Sequence, residues 1–362
     1  AFTSSQMALF GGFPAKDYHF IFHILPYKHY HGVEHANSTV ITLGPDSELS
    51  STLYEGFIHV SSHELFHAWN VCRIKPREFA PYDFSKESFF DIGFMLEGIT
   101  TYYGDLMLFR SGVLTDEKYF ESLHKLFARH FNNPGRHHYS LAEASHDLWL
   151  DGYKTGAPDR TVSIYVKGAL VALMLDLTIR KQTENAFSLD DFMTDLWARY
   201  GKKERGYTMK DLMNTVEKLI GNSSMTEFFN KYIFGTVLLE EELGHLLKSI
   251  GCTLMTSKNK NISEGTLGFL TRKEDNREII SSIAPGSPAE THLATCDQII
   301  EIIGMDNPIR PSIKIHVTRD GTSKFVDIHK GDKSYFPLYT IKRSAEISPR
   351  EATAFELWAG KK

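Results

Sequence analysis

The pentapeptide His63-Glu64-Leu65-Phe66-His67 is the stretch from which the rest of the chain can be interpreted. At about 100° per residue, its two histidines lie about 40° apart on one helix face, one turn apart. Two imidazoles in this arrangement can bind one metal ion, and Glu64 lies beside them. The pattern is short enough to occur by chance, so the alternative is a helix with two hydrogen-bonded histidines.

The residues around this motif have a mainly helical pattern. Apolar residues recur with a period near 3.6 in six segments, at 53–73, 88–111, 117–131, 161–182, 189–200 and 208–220. Before them, Tyr18–Leu25 and Ser38–Leu43 have strand character, and we expect a His- and Tyr-rich loop between the two. The pattern predicts a β part at 1–50 and a helical lobe at 51–250.

The chain changes character after residue 250. Short β-rich runs separated by Gly, Pro and Asp fill residues 251–345, and an amphipathic pattern predicts a final helix at Pro349–Trp358. We therefore predict an α+β multidomain protein. Its domains are expected at 1–250 and 251–345, followed by a C-terminal helix and tail at 346–362.

A third metal ligand is expected at Glu97. This carboxylate lies in the apolar and aromatic stretch FMLEGITTYY, where an unpaired charge is costly unless a metal ion or a counter-charge is present. Two imidazoles, one carboxylate and an open position for water suit zinc, one ion per chain. The alternative for Glu97 is an exposed residue of an amphipathic helix.

The composition excludes several other classes of protein. The 40 Lys and Arg residues against 45 Asp and Glu residues give a net charge of −5, with no long basic tract, so we expect no nucleic-acid partner. The longest apolar stretch, Ile164–Ile179, is interrupted by Lys167 and Asp176, so we expect no membrane span. A soluble protein is expected, and its compartment stays open between the cytoplasm and the periplasm or secretion.

Two longer motifs carry a family resemblance. The string HELFHAWNVCRIKP, followed by LEGITTYYGDL, resembles the glycyl aminopeptidase family of gluzincin metallopeptidases, which are distant relatives of the aminopeptidase N family. The resemblance implies a thermolysin-like, mainly helical catalytic domain followed by a small β-rich PDZ domain. Family members usually carry an N-terminal β-domain as well, for which this chain has no room.

The resemblance also implies roles for individual residues at the metal. His63, His67 and Glu97 match the zinc ligands of the family, and Glu64 matches its general base. Tyr165 lies in YVKGA, which resembles a segment whose tyrosine stabilises the oxyanion of the reaction. The alternative for Tyr165 is a core aromatic residue.

Further residues are assigned to substrate binding and to support of the ligands. Gly32, Val33 and Glu34 belong to the segment GVEH, which resembles one that binds the free amine of the substrate, so Glu34 would hold the α-ammonium group. Asn70 and Asp105 are candidates for orienting the imidazoles. The alternatives are a loop or ion-pair role for Glu34 and a solvated helix position for Asp105.

The C-terminal segment contains a motif similar to the carboxylate-binding loop of PDZ domains. In GTLGF, the amides of Leu267, Gly268 and Phe269 would cradle the carboxylate of a C-terminal peptide. A structural lid or spacer without a ligand is the alternative.

These observations predict a zinc aminopeptidase that acts on peptides or proteins with a free N-terminus. The resemblance adds a preference for small residues such as Gly or Ala. The alternatives are a zinc endopeptidase with PDZ-assisted substrate capture and a non-catalytic peptide-binding scaffold.

Overall fold

The computed structural model describes residues 1–48, 52–151, 157, 159–221, 223–274, 276–304 and 311–361. Its α-helices in chain order are α1 Phe2–Phe10, α2 Thr52–Phe66, α3 Ile99–Arg110, α4 Asp116–Phe131, α5 Leu141–His146, α6 Leu148–Asp151, α7 Val166–Gln182, α8 Leu189–Arg199, α9 Met209–Leu219, α10 Thr226–Tyr232, α11 Glu240–Lys248 and α12 Pro349–Trp358. Its strands are β1 His19–Ile24, β2 His29–Glu34, β3 Ser38–Gly44, β4 Cys252–Ser257, β5 Phe269–Glu274, β6 Arg277–Ile283, β7 Gln298–Ile303, β8 Ser312–Arg319, β9 Thr322–His329 and β10 Leu338–Arg343.

The first three strands form a sheet in the order β1-β3-β2, with β1 parallel and β2 antiparallel to β3. Alternate residues of β3, including Ile41 and Leu43, are buried in a small core with Leu53 and Val60 of α2. This packing holds the sheet against the helix that carries the histidine motif. The two predicted strands are confirmed.

The predicted loop between those strands was wrong, because residues 29–34 form the edge strand β2. Its polar sequence HYHGVE lacks the alternation of a half-buried strand, since most of its side chains are exposed. Residues 29–34 form a strand because they pair with β3. This pairing joins separate segments, so the local sequence pattern does not reveal it.

The helical part is built around α7, which is apolar on nearly all sides and almost entirely buried, as expected for a central helix. It crosses the π-helical turn Phe94–Gly98 that precedes α3. At the crossing, a Cβ on Gly98 would lie 2.5 Å from the Cα of Gly168, so two glycines allow the backbones to approach. The helices confirm the prediction of a mainly helical region after residue 50.

The β-rich part contains a five-stranded antiparallel sheet in the order β5-β6-β7-β8-β9. It has a core of its own, which includes Leu267, Phe269, Ile280 and Ile315. Strands β4 and β10, by contrast, pair with each other and contribute Cys252 and Ile341 to the helical core. The separate β core therefore occupies the chain between these two strands.

The final helix α12 returns to the helical part, where Trp358 is fully buried and its indole Nε1 donates to the Tyr102 hydroxyl at 2.9 Å. The predicted helix Pro349–Trp358 is confirmed, and so is the α+β class. Among the described residues, no helix has the length and apolarity needed to cross a lipid bilayer.

Candidate metal centre and active site

The three predicted ligands converge on one point. His63 Nε2 and His67 Nε2 lie 3.0 Å apart, and each lies 3.4 Å from Glu97 Oε2. His63 lies in the last turn of α2, His67 directly follows this helix, and Glu97 comes from the π-helical turn before α3. Short π-helical segments often occur at functional sites, where they reorient a side chain.

The spacing of these atoms fits a tetrahedral zinc ion. Ligand bonds of about 2.0–2.1 Å place the donor atoms of such an ion about 3.3–3.4 Å apart. Glu97 Oε2 is buried and has no hydrogen-bond donor among the described residues. The His67 Nδ1–H donates to the carbonyl of Asn70 at 2.8 Å, so the lone pair of Nε2 faces the centre. The residues therefore fit a divalent cation.

The pKa shifts of Glu97 and His67 also indicate a cation site. Burial alone would raise the pKa of Glu97, but the two imidazoles hold that pKa well below its usual range. Burial lowers the pKa of His67, but the adjacent Glu97 outweighs it and raises the pKa to about 10. The centre therefore attracts positive charge, as a metal site does.

Glu64 lies beside the ligands in a tightly bounded position. Glu64 is 5% exposed, and burial raises the pKa of its carboxyl group. A Cβ on Gly32 of strand β2 would lie 2.2 Å from Glu64 Oε1, so the absence of a side chain at residue 32 makes room for this carboxylate. Thr39 Oγ1 donates to Glu64 Oε2 over a long 3.5 Å contact.

A cavity of about 730 Å³ opens over the centre. Gly32 and Glu34 line it, whereas Val33 alternates to the other side of the strand and is 41% exposed. One carboxylate oxygen of Glu34, one of Glu64 and a nitrogen of His67 all lie within 4.8 Å of one another. Of the three residues predicted to bind the substrate amine, Gly32 and Glu34 therefore lie at the candidate metal centre and Val33 does not.

Tyr165 also lines this cavity, at the N-cap of α7. Its ring centroid lies 6.3 Å from that of His63, with the two rings nearly parallel. The close crossing of Gly98 and Gly168 brings this end of α7 beside the turn that carries Glu97. Tyr165 therefore lies at the edge of the helical core, where it also lines the cavity over the candidate metal centre.

Asn70 and Asp105, which were predicted to orient the imidazoles, have different hydrogen-bond partners. Asn70 supports His67 through its backbone carbonyl, while its side-chain amide donates to Met95 O and Thr100 Oγ1. Asp105 instead pairs with His59, whose Nδ1 lies 2.6 Å from Asp105 Oδ1. Sequence analysis missed His59, although it lies four residues before His63 on the same helix face.

One backbone amide of the predicted carboxylate-binding loop, that of Gly268, already donates a hydrogen bond within the chain. Residues 262–267 form a π-helical turn, and the Gly268 N–H donates to the carbonyl of Ser263. A Cβ on Gly268 would lie 3.1 Å from Tyr335 Cγ, so the Tyr335 ring packs close to this glycine. The adjacent strand β5 is at the edge of its sheet.

Comparisons with known proteins find a family likeness over part of the chain. The family model of the M61 glycyl aminopeptidases matches residues 56–171, which contain the two histidines, Glu64, Glu97 and Tyr165. The predicted family resemblance is confirmed. Over this segment the chain is thus similar to the glycyl aminopeptidases, in agreement with the predicted peptidase class of enzyme.

A solved structure supports the fold. An aminopeptidase N family protein from Idiomarina loihiensis superimposes with a TM-score of 0.85 at 23% sequence identity, covering 99% of this chain. This chain spans 65% of the length of that protein. A search of curated proteins finds no significant match.

Proposed function

We propose that this protein is a zinc-dependent aminopeptidase that removes small N-terminal residues, such as Gly or Ala, from peptides. The observation that carries the proposal is the convergence of His63 Nε2, His67 Nε2 and Glu97 Oε2 within 3.0–3.4 Å of one another, beside Glu64. The match to the glycyl aminopeptidase model and the aminopeptidase N-like fold support the same reaction class.

His63, His67 and Glu97 would hold the ion. When bound, zinc supplies a Lewis acid that polarises the scissile carbonyl and lowers the pKa of a water molecule. Glu64 accepts a proton from the attacking water and passes it to the leaving amine. The raised pKa of this buried carboxyl group suits both transfers.

Two further residues position the substrate. The Tyr165 hydroxyl donates a hydrogen bond to the oxygen of the tetrahedral intermediate, an effect of about 10²–10³ in rate for comparable donors. The Glu34 carboxylate binds the α-ammonium group of the substrate, which limits cleavage to chains with a free N-terminus. Both residues line the cavity over the metal centre, which supports these roles.

We further propose that the β-rich unit with its own core is the PDZ-like domain, and that it serves here as a structural module. Its separate core supports the domain assignment. The use of the Gly268 amide by Ser263 and the position of Tyr335 disfavour capture of a peptide carboxylate at this loop. The endopeptidase with PDZ-assisted capture thereby loses its main structural argument.

The central test measures hydrolysis of Gly and Ala dipeptide amides, with the zinc content of the purified protein determined by mass spectrometry. Glu64→Gln is expected to lower kcat about 10²–10⁴-fold while one zinc ion per chain is retained. A matched control is Glu227→Gln, which changes an exposed glutamate of α10. Unchanged activity in Glu64→Gln would remove the general-base role.

The exopeptidase character has its own test. N-acetylation of the dipeptide amide removes the positive charge that Glu34 is proposed to bind, so cleavage should fall steeply. Glu34→Gln should reduce the rate for the free amine and narrow the gap between the two substrates. Equal cleavage of the free and acetylated substrates by the unmodified enzyme would favour the endopeptidase instead.

A further inference from the structure

One wall of the cavity carries positive charge that the proposed reaction does not use. Lys125 and Arg129 lie four residues apart on α4, so their side chains share one face of that helix. Both are exposed, and both line the cavity above His63 and Glu97. Within the part of the chain that the structure describes, neither has a carboxylate within the 4.0 Å of an ion pair.

The acidic side chains on this side of the cavity already have partners. Glu55 lies 3.3 Å from Lys118 Nζ, and Asp105 lies 2.6 Å from His59 Nδ1. His59 is half-buried, which lowers its pKa, but the hydrogen bond to Asp105 outweighs burial and raises the pKa, which adds further positive character to this wall. The charges of Lys125 and Arg129 are therefore left for an anion that enters the cavity.

Other residues that line the cavity are acidic. Glu34 and Glu64 lie close to the ligand His67, so the ammonium end of a substrate is drawn to these two carboxylates. A short peptide with two free ends carries a positive charge at one end and a negative charge at the other. The charge distribution of the cavity is complementary to such a molecule, and complementary charge is a source of specificity.

We propose that Lys125 and Arg129 form a carboxylate-binding subsite, which makes short peptides with a free carboxylate the preferred substrates. This inference rests on the proposed aminopeptidase function. The carboxylate is supplied by the C-terminus of the peptide or by an acidic side chain beside the scissile bond, because both offer the same group to a lysine and an arginine.

The experiment compares kcat/KM for Gly-Gly and Gly-Gly-Gly, each as the free acid and as the C-terminal amide. Gly-Glu amide and Gly-Gln amide form a second pair, which reports on an acidic side chain. In at least one of these pairs, we expect kcat/KM to be about five- to tenfold higher for the peptide with the carboxylate, which matches the net contribution of a typical hydrogen bond. The preference should shrink at high salt, since both cations are exposed.

Variants assign the preference to the two residues. Lys125→Gln and Arg129→Gln keep good helix formers at exposed positions, so the fold should persist. Each should remove most of the preference while the rate for the uncharged amides stays unchanged. Lys231→Gln is the matched control, because it removes a lysine from α10, outside the cavity lining.

The outcomes separate the two proposals. If the unmodified enzyme cleaves acids and amides at equal rates in every pair, or if the variants slow both members alike, the subsite is overturned while the peptidase stands. If no peptide, charged or amidated, is cleaved by the zinc-loaded enzyme, the proposed function itself fails. A preference confined to Gly-Glu amide supports the subsite and identifies the side chain as its ligand.

Discussion

Glu97 and Asp176 are two carboxylates of the helical part with opposite surroundings. Asp176, which is 1% exposed, accepts hydrogen bonds from the Tyr102 hydroxyl at 2.6 Å, Arg180 Nε at 3.0 Å and the Leu189 amide at 2.9 Å. Glu97 Oε2 is buried, has no hydrogen-bond donor in the part of the chain that the structure describes, and faces two imidazole nitrogens that point toward the same centre. A structural carboxylate is surrounded by donors, whereas one that binds a metal leaves an oxygen free for the cation.

The largest expected difference comes from Glu97→Gln, which removes the charge of the predicted ligand. Changes to hydrogen-bonding neighbours of metal ligands cost about 10–100-fold in affinity, so loss of a ligand should lower zinc affinity by at least about 100-fold. Activity should be abolished. Zinc at 100 times its Kd for the unmodified protein should stabilise that protein by about 2.7 kcal/mol and the variant by no more than about 0.4 kcal/mol.

Thermal unfolding with and without zinc, together with metal analysis, measures this effect. The metal-free variant should itself be less stable, because Glu97→Gln removes the counter-charge that raises the pKa of buried His67. The readout is therefore the zinc-dependent change in stability within each protein. Undiminished zinc in Glu97→Gln would show that the comparison with Asp176 is mistaken.

Asp176→Asn should have the opposite effect to Glu97→Gln, since it should lower the stability of the fold without lowering zinc binding. It leaves the buried Arg180 guanidinium without its counter-charge, which costs about 3–5 kcal/mol of folding free energy. Zinc content per folded molecule should be unchanged. Denaturant unfolding measures the loss, and Asp195→Asn is the control, since Asp195 and Arg199 form the same i,i+4 pair at the surface, where about 0–1 kcal/mol is expected.

A smaller effect is expected from Gly32→Ala, which tests the space beside Glu64. The new Cβ would lie 2.2 Å from Glu64 Oε1, so the carboxylate must move, and a misplacement of about 1 Å can cost about 10²-fold in rate. Zinc binding should persist because no ligand is displaced. Gly244→Ala in α11 is the control, since no atom lies within 4 Å of its Cβ, and normal kcat in both variants would contradict the role given to Gly32.

The smallest effect concerns His130, a buried base whose neighbours are cations instead of carboxylates. Burial, with Lys167, Arg136 and His137, lowers its pKa to about 3. Because the unfolded chain binds this proton near pH 6.5 and the folded chain does not, stability is lost as the pH falls from about 6.5 toward 3, by about 1.4 kcal/mol per unit.

Unfolding free energies of the metal-free protein between pH 7 and pH 5 measure this slope. His130→Gln, which cannot be protonated, should flatten the curve relative to the unmodified chain. An identical slope in both proteins would assign the acid sensitivity to other groups.

Much of the site was predictable from local sequence, because its ligands depend on short-range geometry. The i,i+4 spacing of His63 and His67 determines their common face once a helix forms. Glu97 was identified by an energetic argument, since a carboxylate in an apolar helix needs a cation. Strand β2 was mispredicted because its residues are mostly exposed, so the burial pattern that marks a strand is missing.

The amino-acid sequence by itself determined the helical pattern, the histidine pair, the need of Glu97 for a positive charge and the final helix α12. Only the tertiary structure decided that Gly32 makes room for Glu64, that His59 pairs with Asp105 and that Lys125 and Arg129 line the same cavity. The physical reason is the separation of the interacting residues along the chain. The face of a helix and the cost of burying a charge depend on residues near in sequence, whereas contacts between distant segments depend on how helices and strands pack.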